Sequence, residues 1–175
     1  MEANEFIDEL TVSKFVRDGH AWRERSVGLT DGALSFGLAP AGPQPALDHR
    51  TDDTNDGDLV ELCPAAAPIL SWIGRRIERR GGAALIIDYG DWRSLGDTLQ
   101  AVESHERADP LAAPGRADLT AHVDFEALAR AAAPARYARL APQGVFLERL
   151  GITARAQALA QRLSGDARES HIAAH

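Results

Sequence analysis

GGAALIIDYG, residues 81–90, decides how this chain folds. Two glycines end whatever precedes them. Five small or apolar residues follow, then an acid, an aromatic and a third glycine. An unbroken apolar run of this length marks a strand buried on both faces, as in parallel sheets, and its polar tip marks the edge of a ligand crevice. Just upstream, PAAAPILSWIGRRIERR (64–80) reads as a helix. Pro64 and Pro68 fall in or near its first turn, Ile69, Leu70, Ile73 and Ile77 form one apolar stripe, and Arg75, Arg76, Arg79 and Arg80 complement the negative end of its dipole. Helix, glycine stop and apolar strand together make an αβ unit of a parallel sheet.

The flanking segments read differently. Residues 12–38 carry turn signals at Asp18-Gly19 and Asp31-Gly32, with Leu34, Phe36 and Leu38 at period two. The pattern predicts three antiparallel strands in a small meander. Residues 39–58 are rich in proline, glycine and aspartate and read as a flexible loop. Its acids lack the spacing and closing glutamate of a calcium loop, so no metal site is expected there. Beyond Gly90, Asp97 opens a short helical piece, DTLQAVESH, followed by an irregular stretch with two prolines. Asp124 is placed to cap a helix running to about Ala133. Tyr137–Leu140 and Gly144–Leu147 read as short strands, and the tail from Thr153 as a helix ending at Ser164-Gly165. ARESHIAAH, at the end, shows no terminator.

The 175 residues suffice for one domain with its own core. A net charge of −7 argues against a nucleic-acid groove and does not exclude a basic peptide or an arginine side chain as substrate. The single cysteine, Cys63, excludes an intrachain disulfide and a cysteine-rich zinc site, and fits a reducing cytoplasm. The N-terminus, MEANEFIDEL, lacks the order of a signal peptide, and no run is long enough to span a membrane. No G-x-G-x-x-G or Walker loop occurs. The strand of 83–87 therefore has a tip facing a ligand but no phosphate-cradling loop to go with it.

Four blocks, in order, resemble the second half of the MidA-type family of class I S-adenosylmethionine-dependent methyltransferases. They are ANEFIDEL (3–10), Trp22-Arg23-Glu24-Arg25, GGAALIIDYG (81–90), and PGRADLTAHVDF (114–125) with the following Gln143–Leu147 and Leu150-Gly151-Ile152. The resemblance covers most of the chain outside 39–58. It implies an α/β fold: a partial Rossmann-like methyltransferase sheet, later strands only, with an inserted antiparallel β-meander at 12–38. ANEF would end the fourth strand, 81–90 would form the fifth, and 135–147 would include the sixth. The glycine-rich cofactor loop would precede Met1, so residues 1–175 would be the C-terminal portion of one domain. S-adenosyl-L-methionine would bind only in the complete domain, and no cofactor-binding residue is assigned here. The chain departs from the family at Glu9-Leu10-Thr11, where a proline that shapes the turn is missing, and at Met1-Glu2, which replace an apolar strand body.

The resemblance further implies an arginine in a protein partner as methyl acceptor, and complex I assembly in the family's mitochondrial eukaryotic branch. A guanidinium is held by carboxylates in a bidentate fork. Glu5 and Asp8, just past a strand tip, are the expected catalytic pair. Asn4, Asp88, Tyr89 and His122 are the expected substrate contacts. The same residues read alternatively as solvated acids at a turn, a loop cap, a packed tyrosine and a histidine with a structural partner. Two other functions stay open: a non-catalytic scaffold that grips a protein partner, and a methyltransferase for a small molecule. Unpaired sheet surface predicts homo-association.

Overall fold

The computed structural model describes residues 1–173. The chain divides into two compact units, Met1–Ala138 and a second that begins at Arg139. The first contains β1 (Glu2–Asn4), β2 (Ser13–Asp18), β3 (Ala21–Thr30), β4 (Ala33–Leu38), a 3-10 turn (Pro45–Arg50), β5 (Leu59–Leu62) and α1 (Ala66–Arg80). It continues with β6 (Leu85–Ile87), β7 (Gly90–Asp91), β8 (Gln100–Glu103), β9 (Glu106–Ala108), β10 (Asp118–Thr120), β11 (Val123–Asp124) and α2 (Phe125–Ala131). The second holds α3 (Gln143–Arg149), α4 (Ile152–Ala160) and α5 (Gly165–Ala173).

The strand of the opening stretch is β6. It pairs in parallel with β1, Asn4 opposite Ile87, so both strands reach their polar tips side by side. α1 precedes it and ends where Gly81 adopts a φ of 69°. Its stripe, with Leu70 and Ile73 buried, packs with Ile7, Val123 and Leu128 into one core. Burying each such side chain contributes about 1.5–3 kcal/mol. α1 and α2 cross so closely that a Cβ on Gly74 would sit 1.9 Å from the Ala132 carbonyl oxygen, so only glycine fits there. Asp124 caps α2, its Oδ1 accepting the Ala127 N–H at 2.9 Å.

Residues 12–38 form three antiparallel strands, and β5 joins them in the order β4-β3-β2-β5. Register puts Phe15, Trp22, Val60 and Leu62 on one face of this sheet. They make a second core with Leu47 of the 3-10 turn. Segment 39–58 is therefore not wholly the irregular loop its composition suggests. Leu47 and Arg50 are fully buried. The Arg50 guanidinium donates to Asp53, to the Ser94 carbonyl and to Asp124. An arginine buried this deeply is tolerated only with such partners.

Other departures have local causes. Within residues 97–105 the structure has strand β8 and the turn that follows it, not a helix. β8 pairs with β9 and β10, and the turn residues Ser104 and His105 take positive φ without being glycine. The expected sixth strand within 135–147 is absent among the described residues. Tyr137–Leu140 has no regular structure, and Gly144–Leu147 lies in α3, led by Pro142. An apolar run as short as Val145-Phe146-Leu147 suits either state. α5 extends to Ala173, and the last two residues of ARESHIAAH lie outside the described residues.

Candidate functional site

The site is built where β1 and β6 end. The Glu5 N–H donates to the Ile87 carbonyl at 2.9 Å, continuing the parallel pairing by one bond. Glu5 then takes a left-handed φ of 46°, and the chain turns sharply through Phe6, Ile7 and Asp8. Asp88 holds that turn. Its Oδ2 accepts the backbone N–H groups of Phe6 (3.3 Å), Ile7 (2.9 Å) and Asp8 (3.4 Å), and its Oδ1 that of Tyr89 (2.9 Å). A carboxylate engaged by four backbone donors in this way is a fixed anchor for the turn. Ile7 plugs the turn into the core.

Glu5 and Tyr89 stay exposed, and the Tyr89 hydroxyl donates to Glu5 Oε1 at 3.4 Å. The Glu5 charge, and that hydrogen bond, push the Tyr89 pKa up. Asp8 differs from Glu5. It is 5% exposed, and its Oδ1 has no hydrogen-bond partner. Burial, then the neighbouring charges of Asp88 and Glu9, raise its pKa. Asn4, the last residue of β1, is exposed and lies opposite Ile87.

His122 reaches the same region through its backbone. Three consecutive amides are tied to three different segments. The Ala121 N–H donates to the Asp8 carbonyl at 3.0 Å, and that of Val123 to the Tyr89 carbonyl at 2.7 Å. Between them, the His122 N–H donates to Thr98 Oγ1 at 2.8 Å. Ala121 and Val123 are buried and His122 is exposed. β11 lies in parallel against β7, so close that a Cβ on Gly90 would sit 2.1 Å from the Val123 carbonyl oxygen.

Thr98 is itself held from the meander side. Its hydroxyl and N–H both donate to the buried Glu61 carboxylate. Lys14 stands 3.7 Å from Glu61 and bonds Asp97, which also accepts from Arg25 at 2.7 Å. Burial acts to raise the Asp97 pKa, but the Lys14 and Arg25 contacts prevail and hold it low. Glu61 and Thr98 were not among the residues expected to matter. The signal for Glu61 was an acid inside an apolar strand, LVEL, in a chain with a lysine one strand away. Thr98 carries no signal in sequence.

Of the expected residues, the strand tips thus bring Glu5, Asp8, Asp88 and Tyr89 together, and Ala121 bonds His122's segment to the same turn. Among the described residues no group of three or more His, Cys, Asp and Glu is arranged to hold a metal. No described helix is long and apolar enough to cross a membrane.

A profile of the S-adenosyl-L-methionine-dependent methyltransferases matches residues 1–142. This chain belongs to that family. Mitochondrial protein arginine methyltransferase NDUFAF7 of Rattus norvegicus is 42% identical over 94% of this chain and 38% of its own length. Its Homo sapiens counterpart is 40% identical over 90% of this chain and 36% of its own. A Burkholderia thailandensis protein solved bound to S-adenosyl-homocysteine superposes with a TM-score of 0.63 at 29% identity. That match covers 75% of this chain and 36% of the other. The fold is thus a mixed α/β fold similar to that protein's, and the chain spans under two-fifths of the length of these relatives.

The methyltransferase family's cofactor does not fit the cavity at these strand tips. The cavity beside His122, lined by Ile7, Val12, Glu61 and Cys63 among others, holds about 60 Å³. Small-molecule sites run to roughly 300 Å³ or more. The backbone donors of the 5–8 turn, which would otherwise suit an anion, are already taken by Asp88.

Proposed function

We propose that this chain supplies the acceptor side of a methyltransferase that modifies arginine in a protein partner. The observation that carries the reading is the exposed Glu5 carboxylate at paired strand tips, its turn fixed by Asp88 and its Oε1 bonded by Tyr89. Glu5 receives the guanidinium in a two-point contact and keeps its positive charge on the nitrogens it binds. Tyr89 orients that carboxylate. Asp88 acts as a positioning residue and not as a ligand, because its lone pairs serve the backbone. His122 and Asn4 border the acceptor channel, and Asp8 supplies negative potential from beneath. The names of the arginine methyltransferases among the relatives support the choice of acceptor. Binding of S-adenosylmethionine falls to the part of the relatives' length that this chain does not match.

Isothermal titration and a turnover assay test the reading. The 175-residue chain is expected to give no S-adenosylmethionine binding at micromolar concentrations. Fused to the unmatched part of the Rattus norvegicus relative, it is expected to bind. In that fusion, Glu5→Gln is expected to lower turnover roughly 10- to 100-fold while changing cofactor affinity less than about twofold. Micromolar binding by the chain alone overturns the division of labour. Unchanged turnover removes Glu5 from the acceptor site.

A further inference from the structure

The hairpin of β3 and β4 stands apart from the site. β2 pairs with β3 only as far as Arg25, so Ser26–Thr30 have β4 as their sole partner strand. That overhang is a two-stranded ribbon, which is marginal by itself in water. Its register places Val27 and Leu29 beside Leu34 and Phe36 on one face, with Leu38 opposite Arg25 at its base, while Ser26, Gly28, Thr30, Ala33, Ser35 and Gly37 fill the other. Val27, Leu29, Leu34 and Leu38 are exposed, Leu29 by 74%.

β4 is also an open edge. The Ala39 N–H donates to the Glu24 carbonyl, so by strand alternation 33, 35 and 37 turn their backbone groups toward β3. Leu34, Phe36 and Leu38 then direct their N–H and C=O groups outward. Exposed edges are normally protected by a charge, a proline, a bulge or a cover. Ala33–Leu38 contains no charge and no proline, and it pairs with β3 without a bulge.

We infer that β4 pairs antiparallel with β4 of a second copy of this chain about a two-fold axis at Phe36. A two-fold edge contact needs a strand complementary to itself. This one is: with Phe36 on the axis, Leu34 of each copy faces Leu38 of the other. All three residues that offer backbone groups outward then find partners. The apolar stripes of the two ribbons run side by side, and each two-stranded overhang becomes part of a four-stranded one.

Light scattering and sedimentation across micromolar concentrations test this. The mass is expected to approach about twice the 18.8 kDa of one chain. Phe36→Pro removes an N–H that points away from β3, so it keeps the β3–β4 backbone bonds while losing the ring under Lys14 and Arg25, and it is expected to weaken the dimer roughly tenfold or more with the far-ultraviolet circular dichroism of the fold unchanged. Leu34→Lys alone is expected to weaken it similarly, and Leu34→Lys combined with Leu38→Glu to restore it, because the two substituted positions meet across the axis. A monomer throughout the range, or a dimer indifferent to Phe36→Pro, overturns the edge pairing. Failure of the double variant to recover overturns the axis at Phe36.

Discussion

Asp8 is poorly suited to its surroundings. It is buried, one of its oxygens has no partner, and Asp88 and Glu9 repel its charge. A carboxyl whose pKa rises on folding binds its proton more tightly in the folded chain. Its contribution to stability is full below the ordinary range of about 4 and is lost as pH climbs through the raised value. Asp8→Asn abolishes that loss, and is expected to raise Tm by about 2–4 °C near neutral pH. The gain should shrink to nothing near about pH 3, where the wild-type carboxyl is protonated in both states. Thermal unfolding of both proteins at the two pH values checks this. A gain at neutral pH would place Asp8 among residues kept at a cost to stability, as active-site groups often are. Asp53, Asp97 and Glu126 have the opposite sign. Arg50, Lys14 and Arg93, respectively, bond them and hold their pKa values low, so their contribution is present above the ordinary range and fades only as acid protonates them.

At the scale of elements, β7 and β11 make the narrowest approach in the site, and Gly90 permits it. Gly90→Ala is expected to push β11 away, break the Val123–Tyr89 backbone bond and destabilise the chain by about 2–4 kcal/mol. Urea unfolding measures the loss. The elements legible in sequence were those with local signals: the α1 stripe closed by two glycines, the Asp-Gly turns of the meander, and the Asp124 cap. Those missed depend on partners far along the chain. β8 is a strand because β9 and β10 flank it, and its turn at Ser104-His105 uses none of the usual turn glycines. Leu47 and Arg50 are buried because a sheet face and Asp124 await them, neither of which a proline-rich, acidic segment announces. In the site, sequence identified the acids at the strand tips. It could not say that Asp88 would be spent on backbone amides or that Asp8 would lie beneath the surface.

Across the whole molecule, burial is uneven. α3, α4 and α5 contain no buried residue, whereas α1 and α2 together with β2, β3 and β5 hold most of the two cores. Hydrogen exchange is therefore expected to be fast, near fraying rates, across residues 143–173 and slowest in α1 and β2. Equal protection in both regions would contradict that picture. The bonds around His122 have another consequence at this scale. Ala121, His122 and Val123 form a tripod whose feet rest on the 5–8 turn, on Thr98 and on the β6 tip. Shortening or loosening one foot tilts the imidazole about the other two. Since the Thr98 foot stands on Glu61 and Lys14, a substitution in the β2–β5 sheet can re-aim a histidine it never touches. The aim of that imidazole is thus a property of a neighbouring sheet as much as of its own segment.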